Sequence, residues 1–137
     1  MVVAVRGAKL GTPAVKWGMV PPATPTIGPW LIGYKNAAYL ALTGRLVTAE
    51  EAHRMGIVNI VVDSEEELVR VVKEVAAEIA SNDQWAVRTI KRLLRGARPA
   101  ALLERGLMSL VYSTSRRETR ERARGFRERK RRPAAEG

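Results

Sequence analysis

Cysteine is absent from this 137-residue sequence, histidine occurs once, and Phe, Trp and Tyr together make up 5% of it. Without cysteine there is no disulfide, no thiolate nucleophile and no cysteine metal site, and the redox compartment is left open. His53 cannot build a metal cluster by itself. A long unbroken apolar run is also missing. The longest mainly apolar stretch, residues 27–42, is interrupted by Lys35, Asn36 and three prolines or glycines, so it does not read as a membrane span. The opening residues 1–5 are too short for a signal-peptide core, and a soluble cytoplasmic protein is the expectation.

What is present belongs to a folded chain. Hydrophobic residues make up 46% and charged residues 28%. A chain of this length fits one ordinary domain and buries roughly two thirds of its unfolded surface. The net charge is +10, but residues 116–132 hold ten Arg or Lys against three Glu and so carry +7 of it. The body of the protein is only mildly basic.

The best-specified stretch is 44–62, GRLVTAEEAHRMGIVNIVV. Thr48 and Glu51 have the spacing of a capping box, in which the hydroxyl accepts from the third helical amide and the carboxylate reaches back to the cap amide. A helix is therefore expected to start at Ala49. Gly56 should close it with a left-handed turn, and the β-branched run 57–62 should follow as a buried strand.

Upstream, residues 1–5 have the composition of a buried strand, although nothing precedes them to pair with. A short extended piece is expected over 9–12. Four prolines and a glycine in 21–29 exclude helix interior and central strand there, and a helix is expected from about Asn36. Downstream, Ser64 and Glu67 form a second capping box, followed by Leu68, Val71, Val72, Val75 and Ile79 at helical spacing. Asp83 caps a further helix with Ala86, Ile90, Leu93 and Leu94 on one face and Arg88, Lys91, Arg92 and Arg95 on the other. Leu103, Leu107, Leu110 and Val111 define another. The basic segment 116–132 is helix-friendly, with Glu118–Arg122 and Glu128–Arg132 pairs four apart, but is polar nearly all round with little apolar beyond Ala123 and Phe126, so it is expected to be solvated, frayed or docked on something else. The chain changes character at Asp63, and everything after it reads helical.

These motifs resemble the crotonase superfamily, the enoyl-CoA hydratases and isomerases. Thr43, Gly44, Arg45, Thr48, Ala49, Glu50, Glu51, Ala52, Gly56, Ile57, Val58, Val61 and Val62 match a TGR, S/T-AEEA, GLV and valine-pair pattern. Ala8, Lys9, Leu10, Gly11, Thr12, Pro13 and Gly18 match its AKFGxPExxxG segment. Phe126, Glu128, Arg129, Lys130 and Pro133 match its closing FxEKRxP, with one extra residue before the proline. The resemblance implies an α/β fold: the C-terminal portion of the crotonase spiral, with a core remnant over 1–62 and a mostly helical oligomerisation region with a basic tail over 63–137.

In function it implies an acyl-CoA thioester as substrate and no separate cofactor. Phe126 and Arg129 fall where the family holds the coenzyme A nucleotide, and Trp17, Met19, Trp30 and Leu31 flank the loop that lines its acyl pocket. The resemblance covers only the second half of a crotonase. The oxyanion hole and one catalytic glutamate would therefore come from sequence ahead of Met1, and the second glutamate falls on Ala14, which has no acid–base chemistry. No catalytic residue is assigned. A subunit completed by a homo-oligomer, trimer-based as in the family, or by a complementary N-terminal chain is one expectation. A non-catalytic interaction subunit is the alternative. The arginine tail could meet phosphates or stay a solvated, salt-bridged helix. Nucleic acid is the weaker partner, because only one aromatic is interleaved and no known motif appears. His53, Lys9 and Lys16 read as surface residues, and Glu50 and Glu51 as helix N-terminal carboxylates.

Overall fold

The structure, a computed structural model, describes residues 1–96 and 100–131, excluding the side chains of 100 and 129–131. Strand β1 (Val3–Val5) leads into β2 (Lys9–Gly11) and a 3-10 helix (Pro13–Trp17). A proline-rich loop then reaches α1 (Gly28–Ile32), α2 (Tyr34–Thr43), β3 (Leu46–Thr48), α3 (Ala49–Arg54) and β4 (Ile60–Val62). Four helices follow: α4 (Glu65–Ser81), α5 (Gln84–Gly96), α6 (Ala100–Ser115) and α7 (Arg117–Arg131).

The capping box around α3 is complete. Thr48 Oγ1 accepts from the Glu51 amide at 3.2 Å, and Glu51 Oε2 accepts from the Thr48 amide at 2.8 Å. Gly56 sits at φ +76, where a side chain would be strained. The amides of Ile57 and Val58 both turn back to the Ala52 carbonyl, so the expected strand begins only at Ile60. His53 adds a local stitch. Its Nδ1 lies 2.9 Å from the Val58 carbonyl, and since that oxygen can only accept, Nδ1 carries the proton.

The first strand does find a neighbour. β1 runs parallel to β4 with Val3 opposite Ile60 and Val5 opposite Val62, which corrects the expectation of an unpaired strand. β2 pairs antiparallel with β3, Lys9 facing Thr48. Between these ladders lies a small core of Ala4, Leu40, Val47, Ala49, Ala52 and Val58, with Leu10, Ile32, Ile57 and Val61 packed around it. α1 forms inside the proline-rich stretch because Pro29 occupies its first turn, where the missing amide would have no partner in any case.

The second capping box is half formed. Ser64 Oγ accepts from the Glu67 amide at 3.1 Å, but Glu67 Oε2 reaches one residue further back, to the Asp63 amide at 2.9 Å. α4 packs against β1 and β4. Asp83 Oδ1 caps α5 through the Ala86 amide at 2.8 Å, yet Ile90, Leu93 and Leu94 on that helix stay exposed. Among the described residues, no helix is long and apolar enough to cross a membrane.

Of the three outcomes left open for the basic helix, docking is the one the structure shows. α6 crosses the proline-rich loop at Gly106, where a Cβ would collide with the Pro22 carbonyl. Further along α6, the buried Ser113 Oγ accepts from the Val20 amide at 3.0 Å. On α7, the buried Thr119 Oγ1 donates to the Gly18 carbonyl at 3.2 Å, and Phe126 lies against Trp17 with ring centroids 5.1 Å apart. On α7 one hydroxyl and one aromatic pair thus stand in for an apolar stripe. The ion pairs also differ from the expected spacing: Glu118 meets Arg116 at 3.5 Å rather than Arg122, and Arg117 meets Glu121 at 2.7 Å. Arg132, the expected partner of Glu128, lies outside the described residues, as does Pro133.

Candidate functional site

Five chain segments converge on one apolar cleft of about 280 Å³. Leu10, Gly11 and Thr12 at the end of β2 form one side, and Ala23, Thr24 and Ile27 of the proline-rich loop, with Gly28 at the start of α1, form another. Leu31 and Ile32 of α1, Leu40 of α2, and Ile57 after the α3 turn complete it. None of these residues is titratable. Thr12 Oγ1 is buried without a hydrogen-bond partner among the described residues.

Local structure explains the arrangement. The Ile57 amide bond to Ala52 fixes that side chain at the cleft, and the α1 turn aims Leu31 and Ile32 at it. The loop wall is buttressed from behind by α6 at Gly106, whose packing surface is the Pro22 carbonyl and Thr26 Cγ2. Thr26 Oγ1 in turn donates to the Pro22 carbonyl at 2.6 Å, closing the loop on itself.

Of the residues singled out beside the loop, Leu31 lines this cleft, whereas Trp17, Met19 and Trp30 do not. Trp17 stacks at a tilt on Phe126, Met19 donates its amide to the Ala14 carbonyl at 3.1 Å, and Trp30 is 69% exposed. Phe126 retains 43% exposure beside Trp17. Arg129 lies on α7, and its side chain is outside the described residues. Ala14 sits in the 3-10 helix, is not among the residues lining the cleft, and accepts at its backbone carbonyl from Met19. Ile27, Ile32, Leu40 and Ile57 carry no signal in the sequence that separates a cleft wall from ordinary core, because all are simple apolar residues.

The carboxylates nearby serve structure. Arg6 Nε contacts Asp63 Oδ1 at 2.6 Å and its Nη1 contacts Glu50 Oε1 at 3.3 Å, joining the end of β1 to α3 and the approach to α4. Hydrogen bonds, chiefly to Asp63, raise the Arg6 pKa above its ordinary value. Glu50 is held below the usual carboxylate range by its own backbone amide and then by the Thr48 hydroxyl, so it stays ionised and is a poor proton donor. Among the described residues, no cluster of three or more His, Cys, Asp or Glu could hold a metal ion. Among the described residues, the cleft can therefore bind and orient an apolar group but offers no side chain to move a proton.

Comparison with known proteins assigns this architecture to a family. The family model described as enoyl-CoA hydratase/isomerase matches residues 1–135. A crotonyl-CoA hydratase of Syntrophomonas wolfei is 41% identical over 90 residues, 65% of this chain and 34% of that protein. A short-chain-enoyl-CoA hydratase of Clostridioides difficile is 33% identical over 118 residues, covering 82% of this chain and 76% of that protein. The crystal structure of an enoyl-CoA hydratase/isomerase from Pseudoalteromonas atlantica superposes with a TM-score of 0.85 at 30% identity, over 99% of this chain and 56% of that one. The chain thus spans about half the length of the relatives it matches, with the C. difficile protein at the upper end. The matched model, the relatives and the superposed crotonase-type α/β fold agree: the chain belongs to the enoyl-CoA hydratase/isomerase family.

Proposed function

We propose that this chain supplies the acyl-binding wall of a crotonase-type site, takes a short acyl-CoA thioester, and depends on another chain or another copy of itself for acid–base catalysis. The observation that carries this is the uncharged cleft. Its volume of about 280 Å³ lies just below the range of about 300–1,000 Å³ for ligand pockets, which suits a short acyl group. Phe126 and Arg129 are proposed for the coenzyme end. Exposed apolar residues on α5 and α6, among them Leu93, Leu94, Met108 and Val111, support association of a trimer-based or heteromeric kind.

A second reading, an interaction subunit without chemistry, is favoured by Ala14 standing where the family places a glutamate. The test is equilibrium binding of crotonyl-CoA against free coenzyme A, followed by a hydration assay. Under the proposed reading crotonyl-CoA binds more tightly than coenzyme A, and Leu31→Glu at the exposed edge of the cleft removes the difference. Equal affinities for the two ligands would favour the second reading. Hydration at an ordinary enzymatic rate by the purified chain alone would refute the need for a completing partner.

A further inference from the structure

The outer face of α7 is organised in a way that neither the cleft nor the family reading uses. Arg117, Arg120, Arg124 and Arg127 follow one another at intervals of three and four residues, which places them on one stripe of the helix. The opposite face carries Thr119 and Phe126, which dock on Gly18 and Trp17. All four arginines are exposed. Three of them, with Glu121, line a shallow concavity of about 430 Å³. Glu121 is taken by Arg117 at 2.7 Å, and Arg120 Nη2 donates to the Ser115 carbonyl at 2.7 Å. The side chains of Arg124 and Arg127 make no hydrogen bond or ion pair among the described residues.

We propose that this stripe binds the phosphate backbone of duplex nucleic acid without reading its sequence. Guanidinium groups present fixed donors that match phosphate oxygens, and several in line suit a repeating anion better than a single one. From Arg117 to Arg127 the helix rises about 15 Å, a length over which a duplex presents about nine phosphates. Base stacking is not part of the interaction, because Phe126 lies against Trp17 on the side of α7 away from the arginine stripe. A lipid surface fits less well. A surface-bound basic helix buries an apolar face in the membrane, and the apolar side of α7 is already spent on the 3-10 helix.

The experiment is fluorescence anisotropy of a labelled mixed-sequence DNA duplex with the full chain over a range of KCl. Four phosphate contacts give a slope of log K against log salt of about −3.6, so affinity falls on the order of 10²-fold between 50 and 200 mM. Arg124→Gln with Arg127→Gln, which break no contact within the fold, should halve the slope and reduce that fall to about tenfold. Arg117→Gln with Arg120→Gln should do the same, while Arg92→Gln with Arg95→Gln on α5 should leave the slope unchanged. Absence of binding at 50 mM KCl, or an equal effect of the α5 pair, would overturn the proposal. Tighter association with phosphatidylserine vesicles than with duplex would replace it with a lipid surface, and displacement of the duplex by micromolar coenzyme A would replace it with a coenzyme site.

Discussion

Gly106 and Gly125 both lie inside helices, and the same substitution at each should move stability in opposite directions. Replacing a helical glycine by alanine is ordinarily worth about 0.5–1 kcal/mol, because the unfolded chain loses freedom and the helix gains propensity. At Gly125 a Cβ would meet nothing within 4 Å, so Gly125→Ala should show that gain. At Gly106 the same Cβ would meet the Pro22 carbonyl oxygen, with Pro22 C and Thr26 Cγ2 each at 3.0 Å. Two of those atoms are backbone and cannot swing aside. Overpacking of this kind costs about 1–3 kcal/mol, and the contact is severe enough to place Gly106→Ala at the upper end even after the propensity gain. With an unfolding entropy of about 0.29 kcal/mol/K for this length, a net loss of about 2 kcal/mol lowers Tm by about 7 °C. Urea unfolding followed by circular dichroism measures both variants. Hydrogen exchange at the Val20 amide, which donates to Ser113 Oγ, reports whether α6 has lifted from the loop. A Gly106→Ala protein as stable as Gly125→Ala, with Val20 still protected, would mean that α6 does not bear on Pro22.

Three further outcomes follow from contacts already described. Thr48→Ala removes the hydroxyl that accepts from the Glu51 amide and should destabilise by about 1 kcal/mol, while Thr48→Ser should lose little; urea midpoints decide this. Trp17→Ala and Phe126→Ala should show a coupling of about 0.5–1.5 kcal/mol in a double-mutant cycle, and strict additivity would mean the rings do not interact. Glu50 and Glu66 both lie below the ordinary carboxylate value of 4.5, through their own backbone amides and the Thr48 and Ser64 hydroxyls respectively. Lowered folded values stabilise above pH 4.5, and that contribution is lost as pH falls from there through them. An acid titration of helicity should therefore flatten below pH 4.5 in the Glu50→Gln, Glu66→Gln double variant, and an unchanged profile would count against this origin.

What the sequence discloses here is local. Thr48 with Glu51, Ser64 with Glu67, Asp83 and Gly56 each act within a few residues, and each forms its expected bond or turn, although Glu67 reaches Asp63 instead of the cap. The pairing of β1 with β4 spans more than fifty residues, and nothing in a β-branched run names its partner. The docking of α7 was hidden because its anchors are a threonine and one aromatic, which carry no periodic signal in a helix otherwise full of arginine. The cleft is harder still. It is assembled from five segments whose residues are individually indistinguishable from core, and only the proline-rich loop advertised that a wall stood there.

The contacts that hold that wall also set an order of events. α3 with its cap, its glycine turn and the His53 stitch closes over a few residues, whereas Ser113 reaches Val20 across 93 residues and Thr119 reaches Gly18 across 101. Long loops lose entropy before their contacts repay it, so the near contacts should form in the folding nucleus and the far ones after the rate-limiting step. φ-values should then be high at Thr48 and near zero at Ser113 and Thr119, and the reverse pattern would sink this ordering. On that schedule the loop wall is fastened only after α6 has been completed, and substitutions at its fastening points should speed unfolding while leaving the folding rate nearly untouched.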